Sequence, residues 1–546
     1  MSSADIMDNR ISVSFKYNSE IVAECKRIPG HEWNPTSKQW VFPLWSRDQV
    51  ISLCTRYNIP LSSDLAQLPT TPRLRSHVEA IDPASFEWWD RLYSFQRDGA
   101  RHILNHPRMI LGDDVGLGKS IQAITACLAF NRFPILVFCP PSLTENWARM
   151  IRDWCRLTVS TDTLKGRKPR AIRPSQVVIC PYSIAHDWQE SLVTLNPGAV
   201  ICDEIHNLKS TKANQTVAVT KLLKQLAPDT PIIGISATML LNRPSELIVP
   251  LQLTRMFQSV AKDWTDYVRT FCEGVFVAGM RWDISGQSNL DELHKRMVSA
   301  GFLRRPKQSV LSELPPVIYE SISVDLTKEQ RATLSAMERD IIGYLREVSL
   351  EKAESAEKAE GLVRINEMRK YLGMAKVPAV VEWAKEWHEN TLQPLLIFAW
   401  HREVQELLAS KLHAPLLGGS LGAKETSKLV AKFQDGQYPI LVASLASASE
   451  GLTLTKAQAV AFAELPWTSA RFQQAIGRAY GRLNDAHGVN VYVSNAGYID
   501  DSITQLLLEK DRMSNMVQTG NGDSMLTALI KKSDLLAQLA TEGALK

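Results

Sequence analysis

A two-lobed α/β protein is the fold class this sequence predicts, with a parallel sheet in each lobe and a small α+β module ahead of the first. Three observations carry it. From about Phe86, short apolar runs (MILG, ILVFCP, VVICPY, AVICDE, IIGIS) are each followed by a helical or polar segment, the alternation of a parallel sheet with crossover helices. The pattern resumes near Pro394 with PLLIFAW, ILVASL and AVAFAEL. Before both, Ile11, Val13 and Phe15 alternate, then a helical stretch leads to the turn-rich PGHEWNPTSKQW and the strand-like WVFPL.

These patterns predict a module over 1–65, a linker over 66–85 and a first lobe over 86–318 with a helical insertion at about 253–300. A helical insertion or linker follows over 319–385, then a second lobe over 386–515 and a C-terminal helical tail over 516–546. The proline-containing LSSDLAQLPTTPRLRSH carries the punctuation of the first boundary. The charged EKAESAEKAE run reads as the solvated face of a helix.

With 546 residues, the chain exceeds what one hydrophobic core supports, and 45% hydrophobic with 22% charged residues excludes a disordered or fibrous protein. A net charge of +4 leaves any nucleic-acid contact to local placement of Lys and Arg. The eight cysteines form no CxxC pair and several lie in apolar runs, which predicts reduced core residues. No stretch approaches the ~20 apolar residues of a membrane span, and the N-terminus lacks the pattern of a signal peptide. The expected setting is the cytosol or the chromosome.

The chemistry concentrates in four segments. In MILGDDVGLGKSIQA a strand runs into Gly116, Gly118, Lys119 and Ser120 and then a helix, the setting of a phosphate-cradling loop. Backbone N–H groups would close on phosphate oxygens, Lys119 would reach the terminal phosphates and Ser120 would hold Mg²⁺. The strict pattern wants glycine six residues before Lys119, where Asp113 stands. In AVICDEIHNL the strand-end Asp203 would hold the metal and Glu204 the attacking water; alone, such a pair is usually an exposed turn. Ser236 and Thr238 follow another strand, either as caps or as sensors of the γ-phosphate. Gln474, Arg478 and Arg482 share a helical spacing that is either a solvated basic face or a source of arginine for charge building on a transferred phosphoryl group.

Taken in order, LYSFQRDGA, GLGKS, DEIH, SAT, ILVASLASASEGLTLT and QAIGRAYGR resemble the helicase motifs of superfamily II, specifically the Swi/Snf-type DNA translocases, over roughly Phe86 to Lys510. RPSEL, RWDISGQSNLDEL, FLRRPKQSVLSELP and FAELPW are similar to the annealing-helicase branch, and VSFKYNSEIVAECKRIPGHEWNPTSKQWVFPL resembles its HARP-type module. The resemblance implies two RecA-like lobes clasping ATP and Mg²⁺. It assigns the adenine to Gln96, the phosphates and metal to Lys119 and Ser120, the hydrolytic water to Asp203 and Glu204, and the γ-phosphate to Arg478 with Arg482. Gly451 and Gln474 complete the nucleotide set. Arg478 and Arg482 are four apart where the family spaces its arginines by three, and Ser449 stands where it usually has a smaller residue.

A motor that moves over any sequence grips the backbone rather than the bases. The candidates are Ser142, Asn146, Tyr182 and Ser183 in the first lobe and Gly418, Gly419 and Ser447 in the second, with Trp33 and Trp40 of the module stacking on bases or filling its core. The expected partner is duplex, forked or junction DNA, met by a monomer away from any membrane. The expected output is reannealing or fork regression. Protein displacement, strand separation and a nucleotide-gated scaffold without turnover are the competing readings.

Overall fold

The computed structural model describes residues 3–521 apart from 8–9, 29–30, 44–46, 64, 66–79, 156–157, 240–242, 278–280, 312–316, 348–354, 419–420, 447–451, 453, 481–488 and 498. Two six-stranded sheets, every strand parallel to its neighbours, form the two lobes. Among the described residues no helix is long and apolar enough to cross a membrane.

The module at the start is an antiparallel sheet in the order β1 (Ser3–Met7), β2 (Arg10–Ser14), β4 (Gln39–Pro43), β3 (Glu32–Asn34). Helices Ser19–Arg27 and Arg47–Arg56 complete it. Asn18 caps the first helix by accepting from the Glu20 and Ile21 N–H groups, which would otherwise lack partners. The module has its own core, in which Ile11, Val13, Cys25, Phe42 and Cys54 are fully buried. Of the two tryptophans read as stacking on bases or filling the core, Trp40 is 7% exposed and belongs to the core. Position in the sheet decides it: Trp40 is opposite Val13 on one side and Trp33 on the other, so all three share a face, but β4 is an inner strand. Trp33, on the edge strand β3, is 47% exposed, with its ring 5.5 Å from that of Trp40.

The first lobe's sheet runs β5 (Arg108–Leu111), β10 (Ile232–Ile235), β9 (Ala199–Asp203), β6 (Ile135–Cys139), β8 (Val177–Pro181), β7 (Thr161–Thr163). Strands β6, β8, β9 and β10 are buried at every position, as a parallel sheet covered by helices on both faces requires. The cysteines behave as expected, all eight being free and buried.

The segment after Leu253 contains helices Phe257–Val260, Trp264–Phe271 and Leu290–Ser299, and also a feature the helical spacing does not predict. Strands β11 (Val275–Val277) and β12 (Arg281–Asp283) form a hairpin beside them. Its strands are three residues long, too short for the period-two signal to stand out.

The second sheet runs β13 (Ile318–Ser323), β18 (Asn490–Asn495), β17 (Ala459–Phe462), β14 (Leu395–Ala399), β16 (Ile440–Ser444), β15 (Leu416–Leu417). Strand β13 lies at the start of 319–385, the stretch expected to be a helical insertion or linker. It is an edge strand whose partner, β18, lies far along the chain, so only tertiary pairing makes it a strand. Helices Lys328–Glu347 and Ser355–Thr391 also belong to that stretch.

The last described helix crosses the expected boundary between the second lobe and the tail. Helix Ile499–Thr519 runs through residue 515 without a break and ends in the other lobe, where Met513 and Val517 join the first lobe's core. His294 Nδ1 lies 2.9 Å from the Val517 carbonyl oxygen there. The expected tail is thus, up to Thr519, a helix spanning both lobes.

Trp40→Ala is expected to destabilise the module by about 3 kcal/mol through the cavity it leaves, whereas Trp33→Ala should cost under about 1 kcal/mol. Limited proteolysis within residues 1–65 across a urea series measures the difference.

Candidate functional site

Strand order brings the chemistry together. β10 lies between β5 and β9, and Ile235 is in register with both Leu111 and Asp203. The carboxyl ends of three strands far apart in the chain are therefore flush. Loops from such ends are where open α/β sheets place ligands.

From β5 the chain enters the glycine loop, and helix Lys119–Ala129 follows. Gly116 and Gly118 adopt φ of +86° and +72°, which glycine alone takes without strain. Space forbids a side chain at Gly118 as well, since an added Cβ would lie 2.5 Å from Gln96 Nε2. Gln96 is buried and donates to the Leu117 carbonyl at 3.2 Å, holding the loop from behind. Lys119 Nζ donates to the Asp113 and Asp114 carbonyls at 2.7 and 3.0 Å. Burial lowers its pKa, opposed by the charges of Glu204, Asp113, Asp114 and Asp203.

At the end of β9, Asp203 accepts from the Trp147 indole N–H at 2.7 Å through Oδ2 and from the Glu204 N–H at 3.0 Å through Oδ1. Glu204 sits at φ +47°, a left-handed turn rare outside glycine. Its Oε2 accepts from Ser236 Oγ at 3.2 Å and lies 3.3 Å from His206 Nδ1. Burial and the charge of Glu204 push Asp203 up. Burial also pushes Glu204 up, but the hydrogen bond and charge of His206, then Lys119 and Arg478, outweigh it and hold Glu204 down.

The second lobe closes the site. Helix Ser469–Ala479 meets the glycine loop at Gly477, where an added Cβ would lie 2.8 Å from Val115 Cγ1. Gln474 Nε2 donates across the lobes to Thr238 Oγ1 at 3.4 Å. Gln474 and Arg478 line one cleft of about 690 Å³ with Gly116, Gly118, Lys119, Ser120, Asp203 and Glu204. Burial lowers the Arg478 pKa, opposed by the charge of Glu204.

This donor set fits a nucleoside triphosphate with Mg²⁺. The loop N–H groups, Lys119 and Arg478 suit phosphate oxygens, and Ser120 with Asp203 suits the cation. Among the described residues no group of three or more His, Cys, Asp or Glu could hold a metal ion.

Residues 39–373 match the model of the SNF2-related domain, and 375–483 match that of the helicase conserved C-terminal domain. The first match alone spans more than half of the chain. The chain belongs to the SNF2-related family. It is 28% identical over 458 residues to the DNA annealing helicase and endonuclease ZRANB3 of Bos taurus, covering 80% of this chain and 41% of that protein. It is 25% identical over 559 residues to the SWI/SNF-related matrix-associated actin-dependent regulator of chromatin subfamily A-like protein 1 of Xenopus tropicalis, covering 96% and 56%. The chain thus spans about half the length of these relatives or less. Among solved structures, the Sulfolobus solfataricus SWI2/SNF2 ATPase core in complex with dsDNA aligns over 79% of this chain and 94% of that one, with 19% identity and a TM-score of 0.37.

Not every expected residue of this family member lands where the motifs suggest. Gly419, Ser447, Gly451 and Arg482 lie outside the described residues. Tyr182, expected on the DNA face, is 3% exposed, stacks on Phe138 and donates its hydroxyl to the Asp203 carbonyl at 2.8 Å. Its ring fills the core under Asp203, so no surface is left for a phosphate. Asn146 stands in the wall of the Lys119 cleft, accepting from Arg149. Ser142 and Ser183 are exposed just past the ends of the neighbouring strands β6 and β8, and Gly418 is half-buried beyond β15.

Motif reading also passes over Trp147, whose single N–H gives no pattern in sequence, and the pair Arg304 and Arg305. Asp113, 0% exposed where a phosphate loop ordinarily has glycine, receives Arg305 Nη2 at 2.5 Å and Nε at 3.0 Å. Arg304 Nη2 donates to Asp114 at 2.7 Å. Two adjacent acids in the loop and two adjacent arginines far downstream were the available signal.

Arg305→Ala leaves Asp113 buried without its cation and is expected to cost about 3 kcal/mol of stability. Urea denaturation followed by tryptophan fluorescence tests it; an unchanged midpoint and slope would remove Arg305 from this role.

Proposed function

We propose that this chain is an ATP-driven motor that moves along double-stranded DNA and remodels it by strand reannealing or fork regression. One observation carries the reading: Arg478, from the second lobe, lines the cleft that holds Lys119, Asp203 and Glu204 of the first, and its charge helps to hold Glu204 ionised. A site divided in this way is complete only when the lobes are together, so hydrolysis is tied to their relative movement.

When bound, Mg-ATP supplies the phosphoryl group whose transfer to water drives the cycle. Lys119 and the loop N–H groups bind its phosphates, and Gln96 holds the loop from behind. Asp203, held by Trp147, and Ser120 would hold the cation, which would offset charge on the phosphates. Glu204, an anion through its neighbours, accepts a proton from the attacking water and aims it. Arg478 stabilises charge on the transferred group. Lobe closure and release then become steps along a duplex gripped from both sides, with Ser142, Ser183 and Gly418 as backbone contacts. Annealing is in the name of the mammalian relative, and it is the output we assign here.

ATPase rates compared across single-stranded, duplex and forked DNA test the reading, with Lys119→Ala as control. Stimulation by duplex or forked DNA and its loss in the control are expected; turnover indifferent to DNA would sink the motor. Glu204→Gln should bind ATP and DNA yet lose at least about 100-fold in kcat. Removing residues 1–65 should leave most of the ATPase while reducing preference for forks, as exposed Trp33 leaves the chain; an unchanged preference assigns the module another task.

A further inference from the structure

The entry to the glycine loop is bonded to the segment that leaves the first lobe for the second. Leu303 pairs in parallel with Leu111 at the edge of the sheet. Its N–H donates to the Ile110 carbonyl at 3.1 Å, and its carbonyl accepts from the Gly112 N–H at 2.7 Å. Asp114 N–H donates to the Arg305 carbonyl at 3.2 Å, and Asp114 Oδ2 accepts from the Lys307 N–H at 2.8 Å. With the two arginine-aspartate pairs, this strap grips every residue from Ile110 to Asp114. Gly112 has no room for a side chain, since an added Cβ would meet the Phe302 ring at 2.7 Å. Further on, Leu311 packs with Leu117 of the loop and Phe95. By Ile318 the chain is in β13, inside the other lobe's sheet.

Lys307 differs from its neighbours. Its side chain is 6% exposed and crosses to the second lobe, where Nζ donates to the Tyr480 carbonyl at 2.5 Å and lies 4.7 Å from that ring's centre. Tyr480 caps the helix that carries Arg478. On its other side the same Nζ would be 3.2 Å from a Cβ at Gly116. The ammonium thus stands between the loop and the end of the arginine helix. Arg304 and Arg305 meet carboxylates of their own lobe, whereas Lys307 is held across the lobes by a neutral carbonyl and a ring. That link is the weaker kind and the one placed to break when the lobes part. Burial lowers its pKa to about 8, with the charge of Asp114 opposing and that of Lys119 adding to the shift, so the cation gains little from this setting.

We propose that Lys307 is a positioning residue that couples the glycine loop to the seat of the arginine helix, so that occupancy of the loop sets where Arg478 stands. The proposal deepens the ATPase reading and rests on it. Neither Lys307 nor the strap touches the reacting groups. Their effect is on how the two halves of the site are brought into register.

Lys307→Met tests this, because it keeps the apolar stem and most of the volume while removing the ammonium; Lys307→Arg restores a cation. On duplex DNA, Lys307→Met is expected to lower kcat about tenfold with KM for ATP within about threefold of wild type, a typical size for coupling between sites. Lys307→Arg should recover most of the loss. Closure is read separately by energy transfer between dyes on Val217→Cys and Lys411→Cys, exposed positions on opposite lobes, the native cysteines being buried. ADP with beryllium fluoride should change the signal in the otherwise wild-type protein and not in Lys307→Met. Wild-type kcat and wild-type closure in Lys307→Met would overturn the proposal, as would a rise in KM equal to the fall in kcat, which would mean that Lys307 serves nucleotide binding. If Lys119→Ala keeps full turnover, it is the ATPase reading that fails.

Discussion

Everything in the cleft depends on how closely one helix of the second lobe approaches the glycine loop of the first. That approach is possible because Gly477 has no side chain where Val115 stands. The next residue is Arg478, so the close contact and the cation come as a unit. A guanidinium several ångströms further out would sit in water, where screening leaves little of its charge for the carboxylates opposite. Held inside, it helps to keep Glu204 ionised despite burial. The cost is a buried arginine, acceptable only where anionic groups face it.

Charge in this site is balanced in two layers. The inner layer sets Lys119 and Arg478 against Asp203 and Glu204, with His206 and Trp147 fixing the carboxylates by hydrogen bonds. The outer layer lies behind the loop, where Arg304 and Arg305 neutralise Asp114 and Asp113. Asp113 would be a severe liability in a phosphate-binding loop if it pointed inward. Turned outward and paired, it ties the loop to the strap instead, leaving only its carbonyl oxygen to receive Lys119.

The lobes are built to different rules from their junction. Each sheet is buried on both faces among apolar side chains, the dense packing that resists deformation. Between the lobes the described contacts include the packing of Gly477 on Val115, hydrogen bonds from Gln474 to Thr238 and from Lys307 to Tyr480, and the spanning helix that ends on Met513 and Val517. Densely packed lobes move as units, which is what the proposed stepping asks of them.

Much of this was written in local pattern. Apolar runs of strand length predict parallel strands because a doubly covered sheet tolerates nothing else, and glycines before Lys119 predict the loop because backbone geometry demands them there. What sequence alone could not decide were matters of position across the fold. Local periodicity does not say that β10 inserts between β5 and β9, that β13 finds β18, or that the last helix crosses to the other lobe. Nor does it tell Trp33 from Trp40, or an exposed Tyr182 from one locked beneath Asp203, since the same side chain suits either setting until its neighbours are known. Arg305 meets Asp113 only because the chain returns to the edge of its own first sheet before leaving it, and a contact made across 192 positions has no signature in either segment alone.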